Sequence, residues 1–253
     1  MSIFILFYNE ILWKPLFNGL VFIYNILPWK DLGLTIVVFT VIIRIILTPL
    51  LLKAKRSQQE MTFLQPEIKK IQEKFKNDRE AQSRATMELY AKYKVNPFSG
   101  CLTMLVQLPI LIALFDVFHK GFGEVKVGTL YSFVHNPEII KSMSLGFLDL
   151  SKGNIYFGIA AAVTQYLQTK MTIDQSGGMN SQQGFAKSLQ WQSLYFFPAL
   201  VLLWSYSLPS ALVLYWTVLN ILGIVEALVW KPKHELTHRH EPTNQHGSNK
   251  AGS

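Results

Sequence analysis

One basic residue lies inside a long apolar stretch of this sequence. Arg44 falls within the run TIVVFTVIIRIILTPLLL, which covers residues 35–52. A charged residue at the centre of a membrane helix costs about 2.5–3.5 kcal/mol on insertion scales, and arginine does not escape this cost by losing its proton. Water, an anionic partner or the interior of a helix bundle must offset it. We interpret Arg44 as part of a wet, positively charged cavity that reaches into the membrane.

Two simpler interpretations of Arg44 compete with this one. Its guanidinium could extend to the lipid headgroups, or it could pair with a carboxylate on a neighbouring helix. Glu226 is the main candidate for such a pair, but it lies only five residues before Lys231. The Glu226 side chain therefore reaches the membrane surface more easily than the depth of Arg44. We predict that Arg44 has no structural ion-pair partner.

The residue types that covalent catalysis requires do not form any known motif here. The sequence has no Ser-His-Asp set, no paired carboxylates within an apolar run, no His-Glu metal motif and no glycine-rich phosphate loop. Cys101 is the single cysteine, which excludes a disulfide framework and a cysteine zinc site. We predict a protein that is not an enzyme, has no catalytic residues and needs neither a cofactor nor a metal.

Composition places the chain in the helical membrane class. Half of the residues are hydrophobic, and several apolar runs are long enough to approach or cross a bilayer. The formal net charge is +8, but the basic residues lie beside the apolar runs, so topology explains them without nucleic acid binding. We predict an all-α, polytopic membrane protein with five transmembrane helices around a hydrophilic groove that opens to the cytoplasm.

Apolar and polar segments alternate along the chain and predict its organisation. The segments are an external amphipathic helix (1–30), five transmembrane helices (31–52, 99–118, 154–170, 191–206 and 210–230), a cytoplasmic basic helical hairpin (53–98), an external loop (119–153), a cytoplasmic loop (171–190) and a disordered cytoplasmic tail (231–253). The hairpin, the tail and residues 170–190 carry 17 of the 24 Lys and Arg residues. Because cytoplasmic loops are enriched in these residues, we predict a start outside and a tail in the cytoplasm.

The hairpin segment has an apolar stripe on its first helix. Hydrophobic residues recur at spacings of three and four, at Met61, Leu64, Ile68, Ile71 and Phe75. Pro66 either begins a new helical piece or kinks a longer helix. Asn77, with Glu80 three residues on, is predicted to cap a second helix that runs to about Val95. The alternative is a solvated connector whose charges only fix the topology.

Polar side chains occur within several of the predicted spans. They are Arg44, Gln107, Gln165, Gln168, Trp216 and Asn220, with Trp216 the nearest to the outside. Buried polar groups without partners are costly, so we expect these side chains to converge on shared water or on one another. They are the predicted lining of a substrate-binding groove.

Four sequence blocks, in this order, resemble the YidC membrane protein insertases, relatives of the mitochondrial Oxa and chloroplast Alb insertases. The blocks are TVIIRIILTPLLLKAKRSQQEM, LQPEIKKIQEKFKND, YAKYKVNPFSGCLTMLVQLPILIALF and LPSALVLYWTVLN. The resemblance implies five core spans around a hydrophilic groove open to cytoplasm and lipid, a cytoplasmic helical hairpin and an outer amphipathic helix. It assigns the groove arginine to Arg44, a groove aromatic to Trp216 and a third-span glutamine to either Gln165 or Gln168.

The resemblance also implies a function. We expect an insertase and chaperone that inserts, folds and assembles small membrane proteins in the bacterial inner membrane, alone or with the Sec translocon. Its expected partners are nascent membrane proteins with acidic outward-crossing tails, the lipid bilayer, and the ribosome and signal recognition particle components that the family uses. Two alternatives are an anion channel or transporter that uses Arg44, and a purely structural assembly partner.

Overall fold

Helices account for most of the computed structural model, which describes residues 3–96, 99–120, 123–124, 128–175 and 185–229. The helices are α1 (Ile3–Tyr8), α2 (Lys14–Ile26), α3 (Leu32–Phe63), α4 (Gln65–Lys74), α5 (Arg79–Lys92), α6 (Ser99–Lys120), α7 (Ile155–Gln175), α8 (Phe185–Trp191), α9 (Phe197–Trp204) and α10 (Ser210–Val229). Two π-helical turns, Asn9–Trp13 and Gln192–Phe196, join α1 to α2 and α8 to α9. The predicted tail (231–253) and residues 176–184 of the predicted cytoplasmic loop lie outside the described residues.

Helix α3 continues past the point where the first span was predicted to end. Asp31 caps its start, because the Oδ1 atom accepts the N–H of Leu34 at 2.8 Å. The helix has 32 residues, which at 1.5 Å per residue is about 48 Å, longer than the roughly 30 Å hydrocarbon core. Pro49 is accommodated inside it, and the charged residues that follow residue 52 are good helix formers.

Helix α10 lies at the centre of the helix bundle. It packs against α7 on one side and against α3 and α6 on the other, while α9 packs against α7. The main apolar core includes buried side chains from α2, α3, α6 and α10, among them Tyr24, Ile36, Leu114, Leu212 and Tyr215. This arrangement places α10 next to every predicted span that carries a candidate groove residue.

Helix α2 packs into the main core through one of its faces. Phe17, Leu20 and Val21 on α2 are buried in the main core, whereas Phe22 and Ile26 are exposed. One face of α2 is therefore buried and packs on α3 and α6, while the other is exposed.

A polar residue of α2 also holds part of the predicted external loop in place. Asn18 is 2% exposed. Its Nδ2 donates to the carbonyls of Lys14 and Thr129, and its Oδ1 accepts the N–H of Tyr131 at 2.6 Å. Asn25 donates to the carbonyl of His135. The partners Thr129, Tyr131 and His135 lie more than a hundred residues away in the sequence, so local pattern does not predict these bonds.

The predicted external loop contains short strands, which the all-α prediction missed. The strands are β1 (Gly123–Glu124), β2 (Ile139–Ile140), β3 (Met143–Ser144) and β4 (Leu148–Asp149). β1 pairs antiparallel with β2, and β3 pairs antiparallel with β4. The β3–β4 hairpin is tied to the start of α3, because Asp31 accepts the hydroxyl of Ser144 and the N–H of Leu145. Strands of two residues leave the fold predominantly helical.

The hairpin helices α4 and α5 form a small core of their own. Its buried residues are Leu64, Ile68, Leu89 and Val95, with Met61, Ile71, Tyr90 and Tyr93 packed around them. Pro66 begins a new helix, because it occupies the first turn of α4. The cap of α5 is Asp78 rather than Asn77, since Asp78 Oδ1 accepts the N–H of Ala81 at 2.9 Å. Glu80 instead pairs with Arg84 at 3.1 Å.

Two described helices, α3 and α10, are long and apolar enough to cross a membrane. A shorter apolar stretch, Val106–His119, lies within α6. The third predicted span corresponds to α7, which continues to Gln175, and the fourth to α9 with the π-helical turn before it. α8 lies in the predicted cytoplasmic loop, so that loop is partly helical.

Candidate functional site

Arg44 is paired in the structure, which corrects the prediction that it has no ion-pair partner. Its Nε donates to Oε1 of Glu226 at 2.5 Å, and its Nη2 donates to Oε2 at 2.8 Å. The Arg44 side chain is 12% exposed and that of Glu226 is 23% exposed. α3 and α10 pack side by side, so the long arginine side chain reaches a carboxylate near the C-terminal end of α10. The prediction was wrong because the length of the arginine side chain makes up for the difference in depth between Arg44 and Glu226.

A second cation shares the same carboxylate. Nζ of Lys55 donates to Oε2 of Glu226 at 2.8 Å, and the Lys55 side chain is 32% exposed. Arg44 and Lys55 are eleven residues apart, or three helical turns plus about 20°, so they lie on one face of α3. Lys55 was not among the predicted site residues, although its distance of eleven residues from Arg44 places both cations on one helix face. Two cations and one carboxylate leave a net charge of +1 in this group, which we call the charged set: Arg44, Lys55 and Glu226.

Trp216 of α10 is hydrogen-bonded to Gln165 of α7. The indole Nε1 donates to Gln165 Oε1 at 2.9 Å. Gln165 Nε2 donates in turn to the hydroxyl of Thr169 at 3.1 Å. The sequence left Gln165 and Gln168 as alternatives for a third-span groove residue, and the structure pairs Gln165 with Trp216.

Gln168 and Asn220 lie at the same contact between α7 and α10. A Cβ atom built on Gly223 would come within 2.9 Å of Gln168 Nε2, so the absence of a side chain there makes room for the glutamine. Asn220 is 4% exposed, and its Nδ2 lies 3.3 Å from the hydroxyl of Thr164 and 3.4 Å from the carbonyl of Ala161. Asn220 therefore joins two helices and has little surface to offer a ligand.

Gln107 approaches α10 from the other side. Its Nε2 donates to the hydroxyl oxygen of Tyr215 at 2.8 Å, and Tyr215 is 1% exposed. Tyr215 and Glu226 are eleven residues apart, so they share the face of α10 that meets α3 and α6. Tyr215 is a second residue of the site that sequence analysis did not identify.

The predicted groove residues form two sets rather than one convergent group. The set on the α7 side, which we call the amide set, consists of Gln165, Gln168, Trp216 and Asn220. Arg44 of the charged set and Gln107 lie on the side of α3 and α6. Trp216 and Glu226 are ten residues apart, which is about 80° around the helix, so the two sets occupy adjacent faces of α10. The amide set can form hydrogen bonds, and the charged set can attract an anionic group.

Comparisons with known proteins agree with the resemblance seen in the four sequence blocks. A sequence profile of the family described as "60Kd inner membrane protein" matches residues 22–237. A "Membrane protein insertase YidC" from Fusobacterium nucleatum is 34% identical over 197 residues, which are 78% of this chain and 84% of that protein. A "Membrane protein insertase YidC 2" from Bacillus anthracis is 33% identical over 230 residues, covering 88% of this chain and 81% of that protein.

Longer relatives match as well. The chain spans 36% of the length of a "Membrane protein insertase YidC" from Geobacter sulfurreducens, with 36% identity over 215 residues. The solved structure titled "Active YidC insertase crystal structure with the first transmembrane domain resolved" aligns with a TM-score of 0.56 and 28% identity. That alignment covers 87% of this chain and 47% of the solved one. The chain belongs to the YidC/Oxa/Alb family of membrane protein insertases, inner membrane proteins that act without enzymatic catalysis.

Proposed function

We propose that this chain inserts small membrane proteins whose outward-crossing segment carries acidic residues, and that it helps them to fold and assemble. The client segment enters a hydrophilic groove that is open to the cytoplasm and to lipid. Arg44 supplies the positive charge of the groove, and Gln107, Gln165, Gln168 and Trp216 supply its polar walls. Asn220 was predicted to line the groove too, but it is 4% exposed and instead joins α7 to α10 beside these walls. The proposed location is the bacterial inner membrane.

The proposed topology has five spans, with the start outside and the tail in the cytoplasm. α3 and α10 support two of the spans directly by length and hydropathy. The apolar stretch within α6, helix α7, and α9 with the π-helical turn before it supply the other three. Short helices cross where the bilayer is locally thin, and the excess of Lys and Arg in the hairpin and tail sets the orientation.

The charged set is the observation that carries this proposal. Its three side chains are between 12% and 32% exposed and leave a net charge of +1. A charge interaction in a partly dehydrated site is worth several times its value in water, so a client carboxylate is attracted there. The membrane potential adds about 2.3 kcal/mol per charge per 100 mV, and an outside-positive potential favours outward movement of acids.

The remaining steps follow from the hydrophobic effect. The client's apolar segment moves from the groove into lipid, driven by burial at about 25 cal/mol per Å². No nucleotide is needed, because partitioning and the membrane potential supply the work. The proposed partners are the nascent client, which the α4–α5 hairpin meets first, the Sec translocon, and ribosome and signal recognition particle components.

Site-specific photocrosslinking tests the proposal against an anion channel. A photoreactive amino acid at Trp216 is expected to crosslink the transmembrane segment of an arrested client. The matched control is the same probe at Leu203, an apolar α9 position that is 71% exposed, where we expect lipid and no client. Anion conductance by the reconstituted chain without any nascent client, together with no client crosslink at Trp216, would favour the channel.

A further inference from the structure

We infer that Glu226 occupies the position on Arg44 that a client carboxylate takes during insertion. When the client carboxylate displaces Glu226 from Arg44, Lys55 remains as the ion-pair partner of Glu226. Glu226 thereby sets how many acidic residues a client needs. This inference rests on the proposed function and adds a residue that decides which clients are accepted.

The geometry shows that Glu226 uses Arg44 as a client acid would. Two of the three guanidinium nitrogens, Nε and Nη2, donate to the two oxygens of one carboxylate. Arginine and carboxylate match each other in this two-bond arrangement. A client aspartate or glutamate that arrives at the same edge of Arg44 must therefore replace Glu226.

Lys55 lowers the cost of that replacement. Its Nζ already donates to Glu226 Oε2 at 2.8 Å. When Arg44 turns to a client, Glu226 keeps one cation, so this partly buried carboxylate is not left without a partner. Removing the partner of a partly buried charge is otherwise destabilising, because the remaining charge is uncompensated.

The side-chain exposure within the charged set increases from Arg44 to Glu226 to Lys55. Replacement of Glu226 by a client carboxylate requires this order, because Glu226 must move away from Arg44 towards Lys55. The Arg44 side chain is 12% exposed, that of Glu226 is 23% exposed and that of Lys55 is 32% exposed. Lys55 lies on the part of α3 that leads to the hairpin, so a client arriving from the hairpin meets Lys55 before it meets Arg44.

The net charge of the charged set predicts which clients the chain inserts. The net charge of +1 attracts any acidic segment, but a single acid must compete with Glu226 for Arg44 on nearly equal terms. A client with several acids raises their local concentration at Arg44 and wins the competition more often. A neutral client does not enter the competition, so Glu226 does not affect it.

The test uses the full chain in insertase-depleted cells and three clients that share one transmembrane segment. Their outward tails carry no aspartate, one aspartate or three aspartates. The variants are Glu226→Gln, Lys55→Met and the double variant. The matched control is Glu80→Gln, which removes the carboxylate of an exposed ion pair with Arg84. The Glu80 side chain is 85% exposed and that of Arg84 is 72% exposed.

Glu226→Gln is expected to raise insertion of the one-aspartate client by about threefold to tenfold, and to change the three-aspartate client by less than about twofold. The neutral client and the Glu80→Gln control are expected to match the wild type. Lys55→Met is expected to lower insertion of the one-aspartate client, and the double variant to restore it.

Two outcomes overturn the inference in distinguishable ways. If the wild type inserts the clients and Glu226→Gln lowers all three equally, or changes none, Glu226 is a structural partner of Arg44 and only this inference fails. If the wild type inserts none of the three clients, the proposed function fails together with it.

Discussion

Trp216 and Gln165 are joined by a hydrogen bond of 2.9 Å that links α10 to α7. Without its partner, each side chain leaves a partly buried polar group unsatisfied, at a cost of about 1–3 kcal/mol. We predict that Trp216→Phe and Gln165→Leu each lower the apparent melting temperature in detergent by roughly 2–8 °C. Because both remove the same bond, the double variant is expected to lose less than the sum of the two.

The control for this pair is Trp204→Phe, since Trp204 is 54% exposed at the end of α9. It removes an indole N–H without removing the contact between α7 and α10. A strictly additive double variant, or an equal loss in Trp204→Phe, would show that the bond contributes nothing.

The small core of the hairpin gives a second prediction. Ile68 is 6% exposed between α4 and α5, and truncation of a buried isoleucine costs about 2–5 kcal/mol. Ile68→Ala is expected to open the hairpin locally, which hydrogen exchange in the α4 amides measures. Met87→Ala, at a position that is 52% exposed, is expected to leave exchange unchanged. Equal exchange in the two variants would show that the hairpin lacks a cooperative core.

Asn18 gives a third prediction, about its attachment to the predicted external loop. Its side chain makes three hydrogen bonds to backbone groups, two of them to Thr129 and Tyr131. Asn18→Ala is expected to lower the apparent melting temperature by roughly 5–10 °C and to speed exchange of the Tyr131 N–H. Asn25→Ala removes one bond, at an exposed site, and should cost less. If Asn25→Ala costs as much, the burial of Asn18 is not what matters.

The pKa of Asp149 gives a pH-dependent prediction. The hydroxyl of Ser151 donates to Asp149 Oδ1 at 2.6 Å, and this bond is the largest cause that lowers the pKa of Asp149 to about 2. Because the folded pKa lies below the unfolded value of 3.8, the carboxylate stabilises the fold around the predicted external loop above pH 3.8. This stabilisation is lost as pH falls through about 2.

Ser151→Ala is therefore expected to raise the pKa of Asp149 towards its unfolded value, as a carbon-detected NMR titration of labelled aspartate would measure. Lys152→Gln is the control variant. It is expected to raise the pKa of Asp149 less than Ser151→Ala does, because Lys152 is 80% exposed and its charge is screened by solvent. A pKa that stays near 2 in Ser151→Ala would contradict the assigned cause.

The parts of the fold that depend on local pattern were predictable from the sequence. The stripe that includes Leu64 and Ile68 gave the packed face of the first hairpin helix, because apolar spacing of three and four follows from helix geometry. Pro209 and Ser210 mark the start of α10 for a similar reason, since proline cannot continue a preceding helix. The same rules were wrong by one residue at the second hairpin helix, where Asp78 caps in place of the predicted Asn77.

The pairings across the bundle were not predictable in the same way. Arg44 and Glu226 are 182 residues apart, and their contact depends on how closely α3 and α10 pack and how far an arginine side chain extends. The division between the charged set and the amide set also depends on the orientation of α10. A sequence gives the depth of a residue in a span, but not which neighbouring helix its face meets.

The most direct test of the account replaces Arg44 in insertase-depleted cells, with insertion scored for one client that has an acidic outward tail and one that has a neutral tail. Arg44→Ala leaves Glu226 paired with Lys55, so we expect this variant to fold. The prediction is that Arg44→Lys supports both clients, while Arg44→Ala lowers insertion of the acidic client by about fivefold or more and affects the neutral client less. Normal insertion of both clients by Arg44→Ala would contradict attraction by a groove charge and leave hydration and bilayer thinning as the mechanism.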